Sequence, residues 1–212
     1  MNFFRNRTLK QLSIILATVF TVVVILQITW LYSRFGRVES VQYQIDFVRS
    51  TQLTNQQLAS QLLHTPAETL LSPEIISLTK QQDAQLKLIE TGGRIPGSEI
   101  FLPTLHRLPK ITYDNLMNVW GAYKKQILEY NAQPEKNLTE VNAQSIIVSD
   151  WLGKLIDDLY DEAAQKRTSI TTVIFIIIAF DLTLLIALVI IFNRSVIAPL
   201  KRIEDNTMLH SH

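Results

Sequence analysis

Apolar residues follow two different patterns along this chain. Leu12 to Leu31 (LSIILATVFTVVVILQITWL) and Ile170 to Phe192 (ITTVIFIIIAFDLTLLIALVIIF) are almost unbroken apolar runs, and Asp181 is the one ionisable residue within them. A helix needs about 20 such residues to cross the hydrocarbon core of a bilayer. Each run therefore predicts a membrane-spanning helix. Between them the apolar positions thin out and recur every three or four residues, the period of a helix with one buried face. Val41, Ile45, Val48, Gln52, Asn55, Ala59 and Leu62 alternate in steps of four and three, a heptad seam. Only Gly36 stands as a breaker between that seam and the first run.

The ends of the predicted helices are marked by their chemistry. The first should stop near His64-Thr65-Pro66, because a residue before proline avoids the helical region. Ser72-Pro73-Glu74 opens a second helix, with Ser as N-cap and Pro in the first position. Its face is Ile75, Leu78, Gln82, Leu86 and Ile89, and Gly92 is its natural stop. Residues 92–109 hold three glycines and three prolines and read as the major loop. A third helix is expected from about Lys110 to Tyr130, facing inward through Leu116, Val119, Tyr123, Ile127 and Tyr130. Asn131 to Lys136 reads as a turn. Asn137-Leu-Thr-Glu140 matches a capping box, so the fourth helix is expected to open there. Its seam is Leu138, Val141, Ser145, Val148, Leu152, Leu155 and Leu159, and nothing breaks it before the second run. No segment shows the two-residue period of a strand.

The fold class is therefore all-α. Two transmembrane helices flank an up-down-up-down four-helix bundle. The expected organisation is a tail at 1–11, a span at 12–32, an outer bundle at 33–169, a second span at 170–192 and a further helix from 193 to 212. Trp30, Leu31 and Tyr32 occupy the place where a cleaved signal peptide would carry small residues, so the first span is expected to stay.

Charge gives the orientation. Arg5, Arg7 and Lys10 precede the first span, and Arg194, Lys201 and Arg202 follow the second. Cytoplasmic flanks carry such cations, which places both ends inside and 33–169 outside, although Arg34 and Arg37 pull the other way. The formal net charge of +1 offers no argument for nucleic acid, and the absence of cysteine excludes disulfides and thiolate chemistry. No phosphate-binding loop, nucleophile elbow or metal-ligand spacing is present, so neither a catalytic site nor a cofactor is expected.

The residues that stand out are polar ones in apolar positions. Gln52 and Asn55 sit on the seam of the first helix, with Arg49 one turn away and Gln56 beside them. They are either a polar layer that fixes register or a small-ligand site, in which Arg49 would suit a planar oxyanion. Asp181 needs a polar partner at mid-membrane, and Thr18, Thr21 and Thr183 lie at compatible depth. Packing of the spans or dimerisation is its expected role; ion transport would need more than two spans. Trp120 and Trp151 flank seams and read as core.

From Arg194 to Ile203 (RSVIAPLKRI) the chain resembles the opening of a HAMP linker, a basic residue followed by Pro199-Leu200 and a further apolar position, Ile203, one turn on. Such linkers join a membrane-spanning sensor to a histidine kinase, chemoreceptor or cyclase output. The outer segment, over about 38–169, is similar to the sensor of type IV pili methyl-accepting chemotaxis proteins, which is related to that of nitrate/nitrite sensor kinases. Ile45 to Ala59 (IDFVRSTQLTNQQLA) resembles that family's first-helix box, Ile-Asn-x-Ala-Gly-Arg-Gln-Arg-Met-Leu-Ser-Gln-Arg-Ile-Ala, and Val119-Trp120 matches a recurrent Trp. Gln52 stands where nitrate sensors carry their ligand-binding Arg, and Arg49 replaces the Gly of the box; Gln56 is kept. The resemblance implies a homodimeric receptor in a bacterial inner membrane. It would sense a small molecule or protein outside and pass a helix displacement through Asp181, Pro199, Leu200 and Ile203. A two-pass structural or envelope-assembly protein would share the spans and the outer helices.

Overall fold

The computed structural model describes residues 9–64, 72–130 and 134–194. They form four helices: α1 Leu9–His64, α2 Pro73–Thr91, α3 Arg107–Tyr130 and α4 Pro134–Phe192. The chain divides into two compact units, Gly36–Arg167 and a second made of Met1–Phe35 with Thr168–His212. Helices α1 and α4 contribute to both.

In the unit Gly36–Arg167 all four helices bury one face in a common core. Ile45, Val48 and Leu62 of α1 meet Leu86 and Ile89 of α2, Leu116 and Trp120 of α3, and Val148, Leu152 and Leu155 of α4. The α4 seam is buried from Val141 to Leu159 as its spacing requires, and the side chain of Leu138 lies outside the described residues. On α1 the buried face is wider than a heptad seam. Gln44, Thr51, Thr54 and Leu58 join it, whereas Ala59 is only half-buried. A helix packed against more than one neighbour buries such a broad stripe. Trp120 lies in the core and Trp151 packs against its edge.

Several ends fall where their chemistry puts them. Ser72 accepts the Ile75 amide at 3.3 Å with Pro73 in the first turn, and Gly92 closes α2 by bonding back to Leu88 O at 3.0 Å. Gly92 has φ +66°, and a Cβ there would stand 2.7 Å from the Leu102 carbonyl oxygen.

Three boundaries differ from expectation. The loop after Gly92 contains a minimal hairpin, β1 Gly93–Arg94 paired antiparallel with β2 Phe101–Leu102. Strands of two residues cannot display an alternating pattern, which is why none was legible. Helix α3 starts at Arg107 rather than Lys110; Pro109 is tolerated in a first turn because its missing N–H would be unpaired there anyway. Helix α4 opens at Pro134, so Asn137 lies inside the helix and is not its cap. The fixed φ of proline suits the first helical position, and it pre-empts the capping box one turn later.

Polar ties lock the helices of this unit together. Tyr113 donates to Leu86 O at 2.9 Å, and Trp120 Nε1 donates to Asp83 at 2.8 Å. Lys124 pairs with Asp83, Lys110 bridges Glu90 and Asp114 at 2.8 Å each, and Thr112 donates to Asp158.

In the other unit, α1 and α4 are long and apolar enough to cross a membrane. Leu26, Ile28, Phe175 and Ile176 each expose 62–68% of their surface. After Phe192, α4 widens into a π-type turn at Asn193 and Arg194. Pro199, Leu200 and Ile203 lie outside the described residues.

Candidate functional site

The polar seam residues of α1 face α4. Gln52 Nε2 donates to Ser149 O at 3.2 Å. Asn55, 1% exposed, donates through Nδ2 to Ser145 O at 3.0 Å and to Ser149 Oγ at 2.9 Å. The amide orientation follows from chemistry: reversed, its carbonyl would face the Ser145 carbonyl. As placed, Asn55 Oδ1 is buried and has no donor among the described residues. An orphaned buried acceptor costs about 1–3 kcal/mol.

Asn55 is one member of a polar layer in which every helix takes part. Gln82 of α2 is wholly buried, and neither its amide nitrogen nor its amide oxygen has a partner among the described residues. The next residue, Asp83, binds Trp120 and Lys124, which bracket Tyr123 on the same turn of α3. Tyr123 is buried, its ring set edge-on to Trp120 with centroids 5.7 Å apart, and its hydroxyl likewise lacks a partner of good geometry. Burial pushes the Tyr123 hydroxyl well above the ordinary tyrosine range, opposed by the nearby hydroxyl of Ser145. Ser145, of α4, turns its own proton to Asn142 O at 2.8 Å. Asn55, Gln82, Tyr123 and Ser145 therefore stand at one level of the core, one from each helix.

A groove between α1 and α4 opens beside this layer. Its volume is about 400 Å³, and its walls include Asn55, Gln56, Ser149, Leu63 and Ile146. Among the described residues no charged side chain lines it. Arg49 is engaged elsewhere: it donates to the Tyr160 hydroxyl, lies 5.5 Å from that ring's centroid and stands 3.7 Å from Asp46. Gln52, Asn55 and Gln56 thus share the α1–α4 side of the unit, while the guanidinium of Arg49 is held against a ring. Ser149 and Tyr160, both central to these contacts, were not singled out by sequence because neither breaks a pattern.

Between the apolar helices, Gln27 Nε2 donates to Asp181 Oδ1 at 2.9 Å. Gln27 is the partner of Asp181, where threonines were expected; Thr183 instead bonds Ala179 O of its own helix at 2.8 Å. Glutamine has the longer reach, and near the end of the first run it reads as an interfacial residue. Among the described residues, no group of three or more His, Asp or Glu side chains is placed to hold a metal ion.

No protein-family model matches the chain, and no curated protein matches it.

Proposed function

We propose that this chain is the sensory half of a bacterial transmembrane receptor. Residues 33–169 form an up-down-up-down bundle outside the inner membrane, and both ends lie in the cytoplasm. The observation that carries this reading is that one pair of helices does both jobs. Helices α1 and α4 meet through the buried Asn55 and Gln52 contacts, and the same two are long and apolar enough to cross a membrane. A change in how Asn55 and Gln52 meet α4 would then be felt along continuous helices. Signalling of this kind requires a two-state element biased by a ligand, with no chemical step.

The exposed apolar side chains around Leu26 and Phe175 suit lipid tails. The Gln27–Asp181 bond gives the mid-membrane acid the polar partner it needs. Beyond Arg194 the HAMP-like segment would carry the displacement to a kinase or chemoreceptor, and the receptor would work as a homodimer. A fusion of this chain to the cytoplasmic portion of a histidine kinase tests the proposal. Gln52→Ala with Asn55→Ala in the outer unit, and Asp181→Leu in the span, should each change basal phosphorylation severalfold. Equal phosphorylation in all three proteins would instead favour a two-pass structural protein.

A further inference from the structure

Helices α1 and α4 share one outward face that carries no charge. From Ser50 to Leu63, α1 contains no Asp, Glu, Lys or Arg, and from Val141 to Ser149 neither does α4. Solvent-facing helix surfaces ordinarily carry charges, and those of α2 and α3 do so through Lys80, Lys87, Asp114 and Lys125. Within the uncharged face, Leu53, Leu63 and Ile146 expose 59%, 47% and 54% of their surface. On α1 the exposed residues Leu53, Gln56, Ser60 and Leu63 recur in steps of three and four, a second seam turned away from the core. Gln56, Ser60, Leu63 and Ile146 also wall the groove between α1 and α4.

Symmetry selects the occupant. In a two-fold contact the same patch meets itself, so any net charge on it repels its own copy. This patch has none. Its polar groups are amides and hydroxyls, which both donate and accept and can therefore pair with their own kind. Interface cores are depleted of charge in the same way. Two copies inserted alike in one membrane are related by an axis along its normal, which sets their α1 helices parallel, the arrangement a heptad seam serves. We infer that the uncharged α1–α4 face from Leu53 to Leu63 is the outer contact between two copies of this chain, with the parallel α1 helices meeting at Gln56 and Ser60 and each seating in the other's groove. A strip about 15 Å long and one helix wide covers about 150 Å², well short of the roughly 800 Å² per partner of a stable complex. The contact therefore forms only while the spans hold the copies side by side. The inference rests on the homodimeric reading above and adds the face through which the outer units pair.

The chain has no cysteine, so single cysteines report on this face in the full chain in vesicles. Gln56→Cys and Ser60→Cys should form disulfide-linked dimers under mild oxidation at least tenfold faster than Lys80→Cys on α2 or Asn118→Cys on α3, all four positions being exposed. Adding Ser60→Glu to Gln56→Cys sets two like charges on the axis and should slow its cross-linking at least tenfold, whereas Ser60→Ala should leave it unchanged. Both additions should leave the melting temperature level, because Ser60 lies outside the core. Equal rates at all four positions, or equal rates with Ser60→Glu and Ser60→Ala, would overturn the inference. Stepwise photobleaching of chain labelled at Lys80→Cys in sparse vesicles separates the two readings. Two bleaching steps without preferred cross-linking would overturn this face alone, and single steps would overturn the homodimer with it.

Discussion

At the scale of single residues, the informative side chains are polar ones in apolar surroundings, and two of them make checkable demands. The Gln27–Asp181 bond joins the two apolar helices, and polar bonds of this kind within membranes contribute about 1 kcal/mol. Asp181→Asn keeps an acceptor for Gln27 and should preserve span pairing. Asp181→Leu and Gln27→Leu should weaken it by similar amounts, with the double variant little worse than either. A double-mutant cycle on thermal unfolding in nanodiscs reads the coupling. Tyr123 makes a demand on pH. Burial raises its hydroxyl above the unfolded value of about 10, so the fold holds a proton that the unfolded chain releases. Its contribution is intact below about pH 10 and is lost as pH climbs toward the raised value. Tyr123→Phe should reduce the alkaline loss of stability, and Tyr113, also raised by burial and then by Glu90 and Asp114, should maintain the rest. Alkaline titration followed by circular dichroism gives the comparison.

At the scale of elements, helix existence was legible and helix ends less so. Ser72-Pro73 and Gly92 mark α2 because cap chemistry is local, written in three or four residues. The start of α4 was misplaced because two adequate signals lie one turn apart, and the earlier one, Pro134, prevails. The hairpin stayed hidden because its two-residue strands depend on Gly92 turning the chain and on the Leu102 backbone beside it, a tertiary matter. Gly92→Ala should therefore destabilise the outer unit by about 1–3 kcal/mol, from a left-handed φ and a backbone clash together, measured by urea unfolding. Gly36 is the opposite case. It is an exposed glycine inside α1 with nothing within 4 Å of an added Cβ. Gly36→Ala should stabilise the helix by about 0.5–1 kcal/mol and slow amide exchange around residues 33–40.

The candidate site was partly visible for the same reason. Each predicted seam carries a polar residue at one level: Asn55, Gln82, Tyr123 and Ser145. The sequence shows that these positions break an apolar pattern, but the level at which four helices meet is set by packing and turn lengths. Arg49 shows the limit most clearly. Its spacing from Gln52 suggested a shared anion site, yet an aromatic ring 111 positions away, Tyr160, takes the guanidinium.

At the scale of the whole molecule, α1 and α4 each contribute to the polar core of one unit and to the apolar helix pair of the other. The proposed receptor requires that loosening the Gln52 and Asn55 contacts moves the two apolar helices. The chain has no cysteine, so nitroxides can be placed at Leu26→Cys and Ile178→Cys without removing native thiols. Both positions are exposed, at 64% and 56%, and lie on opposite helices near the Gln27–Asp181 pair. Pulsed dipolar EPR on labelled chain diluted with unlabelled chain in nanodiscs gives the distance between them. With Gln52→Ala and Asn55→Ala added, the account expects the distance distribution to shift or split by about an ångström or more, the scale of helix displacement in such switches. A distribution identical to that of the parent chain would contradict the account.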